Sequence, residues 1–176
     1  KHIPSGSFGY HDGAITSGYT KISPCTKGTF CPGVAFKPQP CPSGTYLDQL
    51  SMATSSDCKH CPMGTNSSAE GRDEISDCLA CGESRYQNET GSTACKDIAV
   101  GRFGSGGTPT THSASILCDI GFTCPGGSAD PLACPEGTYL DQSGQGPGAC
   151  QSCPADQYQN ESGKSSCKPI AQGYYG

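Results

Sequence analysis

The sequence has no tryptophan, two methionines and five phenylalanines in 176 residues. Apolar residues make up 33% of it even with the cysteines counted. A chain of this length normally folds around a sizeable core, and this one lacks the side chains to fill it. Basic residues are also few: 11 lysines and arginines, scattered, for a formal net charge of −5. Without a Lys/Arg cluster to neutralise phosphates, nucleic acid is excluded as a partner. No apolar run approaches the roughly 20 residues of a membrane-spanning helix, so this segment is expected to make no membrane contact. No signal peptide precedes Lys1, and the sequence therefore reads as a mature chain or a fragment. Catalytic signatures are missing too: there is no G-x-S-x-G, and no nucleophile–base constellation can be named. The D-x-[DN]-x-[DN]-G loop of a calcium site is absent. "GRFGSGG" (101–107) evokes a phosphate-binding loop, but it follows no credible strand and opens no helix, which leaves it a linker. The expectation is a protein that is not an enzyme and has neither metal nor cofactor.

What is abundant is cysteine, glycine and proline, at 14, 25 and 14 residues. An even number of cysteines at this density points to an oxidised framework, extracellular or at the cell surface. Each bridge contributes roughly 2–4 kcal/mol, mainly by restricting the unfolded chain.

The chain also repeats itself. "GTYLDQ" occurs at Gly44–Gln49 and again at Gly137–Gln142. "KHIPSGSFG" at Lys1, "KDIAVGRFG" at Lys96 and "KPIAQGYYG" at Lys168 share K-x-I-x-x-G-x-[FY]-G. "CTKGTFCPG" from Cys25 matches "CDIGFTCPG" from Cys118, and "RYQNETGSTACKDIA" from Arg85 matches "QYQNESGKSSCKPIA" from Gln157. The organisation is one long repeat (residues 1–95), one shorter repeat (96–167) and the start of a third (168–176). Such repetition implies an array in which each unit contacts mainly its neighbours.

The long repeat has two C-x-x-C pairs, Cys58/Cys61 and Cys78/Cys81, where the short one has only Cys150/Cys153. An inserted piece that carries two cysteines leaves no orphan only if it closes on itself. The simplest arrangement then pairs neighbours in order: Cys25–Cys31, Cys41–Cys58, Cys61–Cys78 and Cys81–Cys95, followed by Cys118–Cys124, Cys134–Cys150 and Cys153–Cys167. Sequence alone does not fix connectivity. Five residues after each loop-opening cysteine stand Tyr46, Asn66, Tyr86, Tyr139 and Tyr158. The expected geometry is a tight turn at Pro-x-Gly, with glycine at positive φ, then a short strand that lays the ring over the disulfide.

These features resemble the cysteine-rich modules of tumour necrosis factor receptors. More closely they resemble the ephrin-receptor-like modules, which use C-P-x-G-T-Y, a polar loop and C-x-x-C-P, as in "CPSGTYLDQLSMATSSDCKHCPMGT". "GTFCPG" and "GFTCPG" look like insertions found in large extracellular proteins of algae and other protists. The resemblance covers 25–95 and 118–167 and implies one disulfide per loop. It says little of function, because such modules occur in receptors, adhesins and surface fibres alike. The K-x-I-x-x-G openings lie outside it.

Cys58, Cys61, Cys78 and Cys81 also have the spacing of a zinc ribbon, but the short repeat cannot complete a four-thiolate site. All three asparagines stand in glycosylation sequons: "NSS" at Asn66, "NET" at Asn88 and "NES" at Asn160. "GGTPTTHSAS" (106–115) has an O-glycan composition, with Thr108, Thr110 and Thr111 as candidates, and doubles as a flexible linker. His2, His11, His60 and His112 show no metal spacing and read as surface residues. Asp48 and Asp141 read as loop hydrogen-bonding residues.

The fold class expected is a small disulfide-rich, mostly irregular one, with short β-hairpins and little or no helix, extended into an elongated tandem-repeat rod. The function expected is a non-enzymatic structural glycoprotein: the repeat segment of an extracellular filament or surface coat, such as a flagellar hair. Its partners would be copies of itself, packed head-to-tail or laterally, or another extracellular protein. The alternative is the ectodomain of a receptor or adhesin that binds a protein ligand.

Overall fold

The computed structural model describes residues 2–10, 21–33, 37–127 and 130–171. Among them there is no α-helix, only the single 3₁₀ turns Ser55–Asp57 and Ile75–Asp77. Among the described residues the strands form two-stranded antiparallel hairpins, none of which joins a larger sheet. Most strands are two residues long, as in Thr45–Tyr46 against Lys59–His60 and Thr138–Tyr139 against Gln151–Ser152. Four are longer and form two hairpins, Ser7–Tyr10 against Lys21–Pro24 and Arg102–Ser105 against Ala114–Leu117. Hairpins this short are not stable alone. The chain divides into two compact units: Lys1–Ala80 with Gln87–Cys95, and Cys81–Tyr86 with Lys96–Gly176.

Each hairpin is opened by the turn that the sequence signals. In Cys41–Tyr46 the Thr45 N–H and Oγ1 both donate to the Pro42 carbonyl, at 3.2 and 2.6 Å. Gly44 takes φ +81°, which a side chain would make costly. Threonine repeats the device at Thr65 and Thr138. Asp156 stands in the glycine's place in the last module and also adopts positive φ, at 62°.

Successive modules are joined through backbone. In the first unit the Gly44 N–H donates to the Ser67 carbonyl (2.7 Å), and the Gly44 carbonyl accepts from the Cys61 N–H (2.9 Å). The Leu47 N–H donates to the Arg72 carbonyl, and the Gly71 N–H returns a bond to the Cys41 carbonyl. In the second unit Gly121, Leu140, Cys134, Cys124, Gln145, Gly144 and Cys118 build the same four-bond pattern. This ladder satisfies the polar groups that irregular chain would otherwise bury unpaired.

The K-x-I-x-x-G openings belong to it. Gly6 N–H donates to Cys31 O and Gly6 O accepts from Cys25 N–H, while Gly101 does the same with Cys124 and Cys118. Ile3 and Ile98 therefore stand where the other modules have their opening cysteine, and both are buried.

The rings do not lie where the sequence suggests. Tyr46 packs against Cys61 and Cys78, the bridge of the next module. Its own bridge, Cys41–Cys58, packs with Leu47, and Phe30 of the preceding module covers it together with Met52. The repeated core position is the residue after the tyrosine: Leu47, Ser67, Gln87, Leu140 and Gln159 are all buried. Tyr158 is exposed. Consecutive side chains point to opposite sides of extended chain, and in the Cys41–Cys58 module it is Leu47 that faces its own bridge. The other correction concerns 101–107, read as a linker. Arg102–Ser105 is a strand, and Phe103 pairs across to Ile116; the glycines around it mask its alternation.

Candidate functional site

The structure closes Cys25–Cys31, Cys41–Cys58, Cys61–Cys78, Cys118–Cys124, Cys134–Cys150 and Cys153–Cys167. Cys81 and Cys95 are disulfide-bonded as well, and no cysteine is free. The four cysteines with zinc-ribbon spacing are thus divided among bridges, their thiolates consumed. Among the described residues no group of three or more His, Cys, Asp or Glu converges.

His11 lies outside the described residues. His2 and His60 are exposed, but His112 is not: it is 7% accessible, and neither ring nitrogen has a hydrogen-bond partner. Its ring lies against the backbone of Gly104, where any Cβ would overlap it. That contact explains the last glycine of the K-x-I-x-x-G-x-[FY]-G motif in this copy. His112 lines a shallow cleft with Thr108 and Asp130, and a second cleft lies between Phe103 and Phe122.

The three sequons fall into two environments. Asn88 and Asn160 are exposed, each directly after a buried glutamine. Gln87 donates through Nε2 to the Ala94 carbonyl (2.6 Å) and accepts at Oε1 from the Glu89 N–H (3.1 Å). Gln159 makes the same pair with Ser166 and Glu161, at 2.8 and 3.1 Å. A buried amide thus fastens both sides of each asparagine-bearing loop. Asn66 instead takes the tyrosine position itself. It is half-buried, with its Nδ2 donating to the Leu79 carbonyl and to Cys95 Sγ, at 3.3 and 3.0 Å. Thr108 and Thr110 are exposed at a hairpin tip, and the Thr111 hydroxyl is held by the Thr108 N–H at 2.9 Å.

Charge shapes the loops of the first unit. The Asp57 carboxylate accepts from the Thr54 N–H (2.9 Å), the Thr54 hydroxyl (3.0 Å) and the Ala53 N–H (3.2 Å). These bonds, the Thr54 N–H foremost, hold it below the ordinary carboxylate range. Asp77 is lowered in the same way, first by the Glu74 N–H and then by the Asp73 N–H, with Arg72 alongside. Asp48 is lowered by its bond to Lys59 Nζ at 2.7 Å. A carboxyl depressed in the folded state stabilises it above the unfolded value and ceases to as pH falls through the folded one. Loops 41–58 and 61–78 should therefore loosen only below about pH 4. The Thr54 amide resonance should shift at that same step, and Asp57→Asn should abolish the step. A Thr54 titration that the substitution leaves unchanged would rule this out.

No family model matches the chain. Over 115 residues, 65% of its length, it is 32% identical to the rat protein named sushi, von Willebrand factor type A, EGF and pentraxin domain-containing protein 1. It is 33% identical to the mouse protein of that name over 110 residues, 62% of its length. The chain spans only 3% and 2% of these two relatives. A fully oxidised cysteine set belongs to an oxidising compartment, and the likeness is to one short segment of a multidomain protein. The chain is an extracellular array of cysteine-rich modules.

Proposed function

We propose that the chain is a non-enzymatic repeat segment of an extracellular filament or surface coat, built of ephrin-receptor-like modules and partnered by further copies of itself. One observation carries this reading. The Ile98 N–H donates to the Ser84 carbonyl (3.0 Å), and the Ile170 N–H donates to the Asp156 carbonyl (2.9 Å). The opening of the second repeat and the opening of the third are thus attached by the same bond to the module before them. A join that recurs unchanged can be propagated head-to-tail, which is the geometry of a fibre. On this reading the functional units are 1–95, 96–167 and the one that opens at 168.

A receptor or adhesin ectodomain is the second reading. It is favoured by the relatives, whose name describes a mosaic of domains rather than a uniform array. Electron microscopy of the protein from its native source separates the two. Regular fibres with an axial period that matches these repeats are expected; dispersed flexible molecules would give the ectodomain reading precedence.

A further inference from the structure

We propose that Asn88 and Asn160 carry N-linked glycans, and that Asn66, despite its sequon, remains unmodified and serves as a structural amide. The inference does not depend on whether the array is a filament or an ectodomain.

N-glycosylation transfers an oligosaccharide from a polyprenyl-diphosphate donor. The bond between sugar C1 and the diphosphate oxygen breaks, a C1–N bond forms at Nδ2, that nitrogen loses one proton, and the lipid diphosphate departs. Transfer takes place on the unfolded chain, so folded geometry decides which products can reach the native state. At Asn88 and Asn160 that geometry accommodates a sugar. Each asparagine is exposed, as are Glu89 and Thr90 after the first and Glu161 and Ser162 after the second. The Gln87 and Gln159 amides fix these loops from the buried side, away from the sugar. The Asn160 side chain is engaged through Oδ1, which accepts from Lys168 Nζ at 2.9 Å. The two sites are repeat copies, so one glycan would recur at the same place in each repeat.

At Asn66 the whole sequon is differently placed. Its asparagine is half-buried within a hairpin, opposite Leu79. Its Nδ2, the atom that would bear the sugar, is turned to the Leu79 carbonyl and Cys95 Sγ. Ser67, the middle residue, is 2% accessible and occupies the core position filled by Leu47 and Gln87 elsewhere. A glycan on Asn66 would leave Nδ2 a single N–H and so break one of these two hydrogen bonds. The amide here replaces a tyrosine ring, and its hydrogen bonds stand in for the ring's packing.

The test is site-resolved. The chain is secreted from a eukaryotic host, and its N-glycans are released enzymatically in ¹⁸O water. Peptide mass spectrometry then locates the labelled aspartate left at each occupied site. Label at 88 and 160 with unlabelled Asn66 is the result expected. Label at 66 in soluble, fully oxidised protein would overturn the inference, as would its absence at both 88 and 160. Two variants make the outcome independent of folding losses. Asn66→Tyr, which restores the residue found there in other modules, should secrete with both glycans, whereas Asn88→Gln should lose one gel-shift step. Loss of a step in Asn66→Tyr would count against the proposal in the same way.

Discussion

Gly44→Ala is expected to disrupt the middle of the first unit, at a cost of about 2–5 kcal/mol. Positive φ at a non-glycine residue accounts for about 1–2 kcal/mol of this. The rest comes from a steric overlap, worth about 1–3 kcal/mol in a packed site. A Cβ on Gly44 would fall far inside the van der Waals contact distance of the Gly91 carbonyl oxygen, two modules further on. Neither partner has a side-chain rotamer that could relieve the overlap. Gly82→Ala separates the two contributions. Gly82 has φ +82°, but nothing lies within 4 Å of a Cβ there, so only the first cost of about 1–2 kcal/mol applies. Calorimetry of the secreted variants should place Gly44→Ala well below Gly82→Ala in melting temperature. Equal shifts would mean that the second-neighbour contact is not close-packed.

Removal of Cys41 and Cys58 together, as alanines, should be nearly as damaging but local. Their sequence separation is 17 residues, against 6 for Cys25 and Cys31. Loop-closure entropy assigns the two bridges about 3 and about 2 kcal/mol. The longer bridge also forms one wall of the small cluster with Leu47, Phe30 and Met52, so its loss uncovers apolar surface as well. In a repeat array stability is a sum of module and neighbour contributions. Hydrogen–deuterium exchange should therefore rise in peptides from 41–58 and the adjoining modules at 25–31 and 61–78. Peptides from 118–150 should be unchanged. A rise along the entire chain would show that it unfolds as one cooperative body and would remove the basis for treating the modules separately.

Cysteine, proline and glycine are the residues that made the fold legible. Pro42-Ser43-Gly44-Thr45 states its turn in local chemistry, and a bridge between cysteines 6 or 17 residues apart is itself a nearly local constraint. The parts that stayed hidden depend on contacts between modules. Nothing near Tyr46 in sequence indicates that its ring belongs to the Cys61–Cys78 bridge, because that follows from how far one hairpin overlaps the next. Ile98 was more accessible: K-x-I-x-x-G-x-[FY] aligns with C-P-x-G-T-Y once isoleucine is allowed in the cysteine's place. The signal was in the spacing, and the change of residue type concealed it. Gln87 and Gln159 read as loop polar residues, yet their amides are buried. Asn66 matches a three-residue motif that carries no information about where Nδ2 points. His112 is buried for want of a single atom at Gly104, a deficit visible only once the hairpin is formed.

The backbone character of the ladder bears on how such a chain changes over generations. Between modules the main bonds run from glycine or cysteine amides to carbonyls, groups that every residue type but proline provides. In the long repeat Gly44 meets Ser67, and in the short repeat its copy Gly137 meets Gln159, with the same 2.7 Å bond. Cys61 and Cys153 likewise close on the carbonyls of Gly44 and Gly137. The segment 61–80 therefore behaves as a cassette whose two ends are chemically alike. A recombination event that removes or duplicates it leaves matching donors and acceptors at the seam and no stranded thiol. The two repeats, one with the cassette and one without, stand side by side in the same polypeptide.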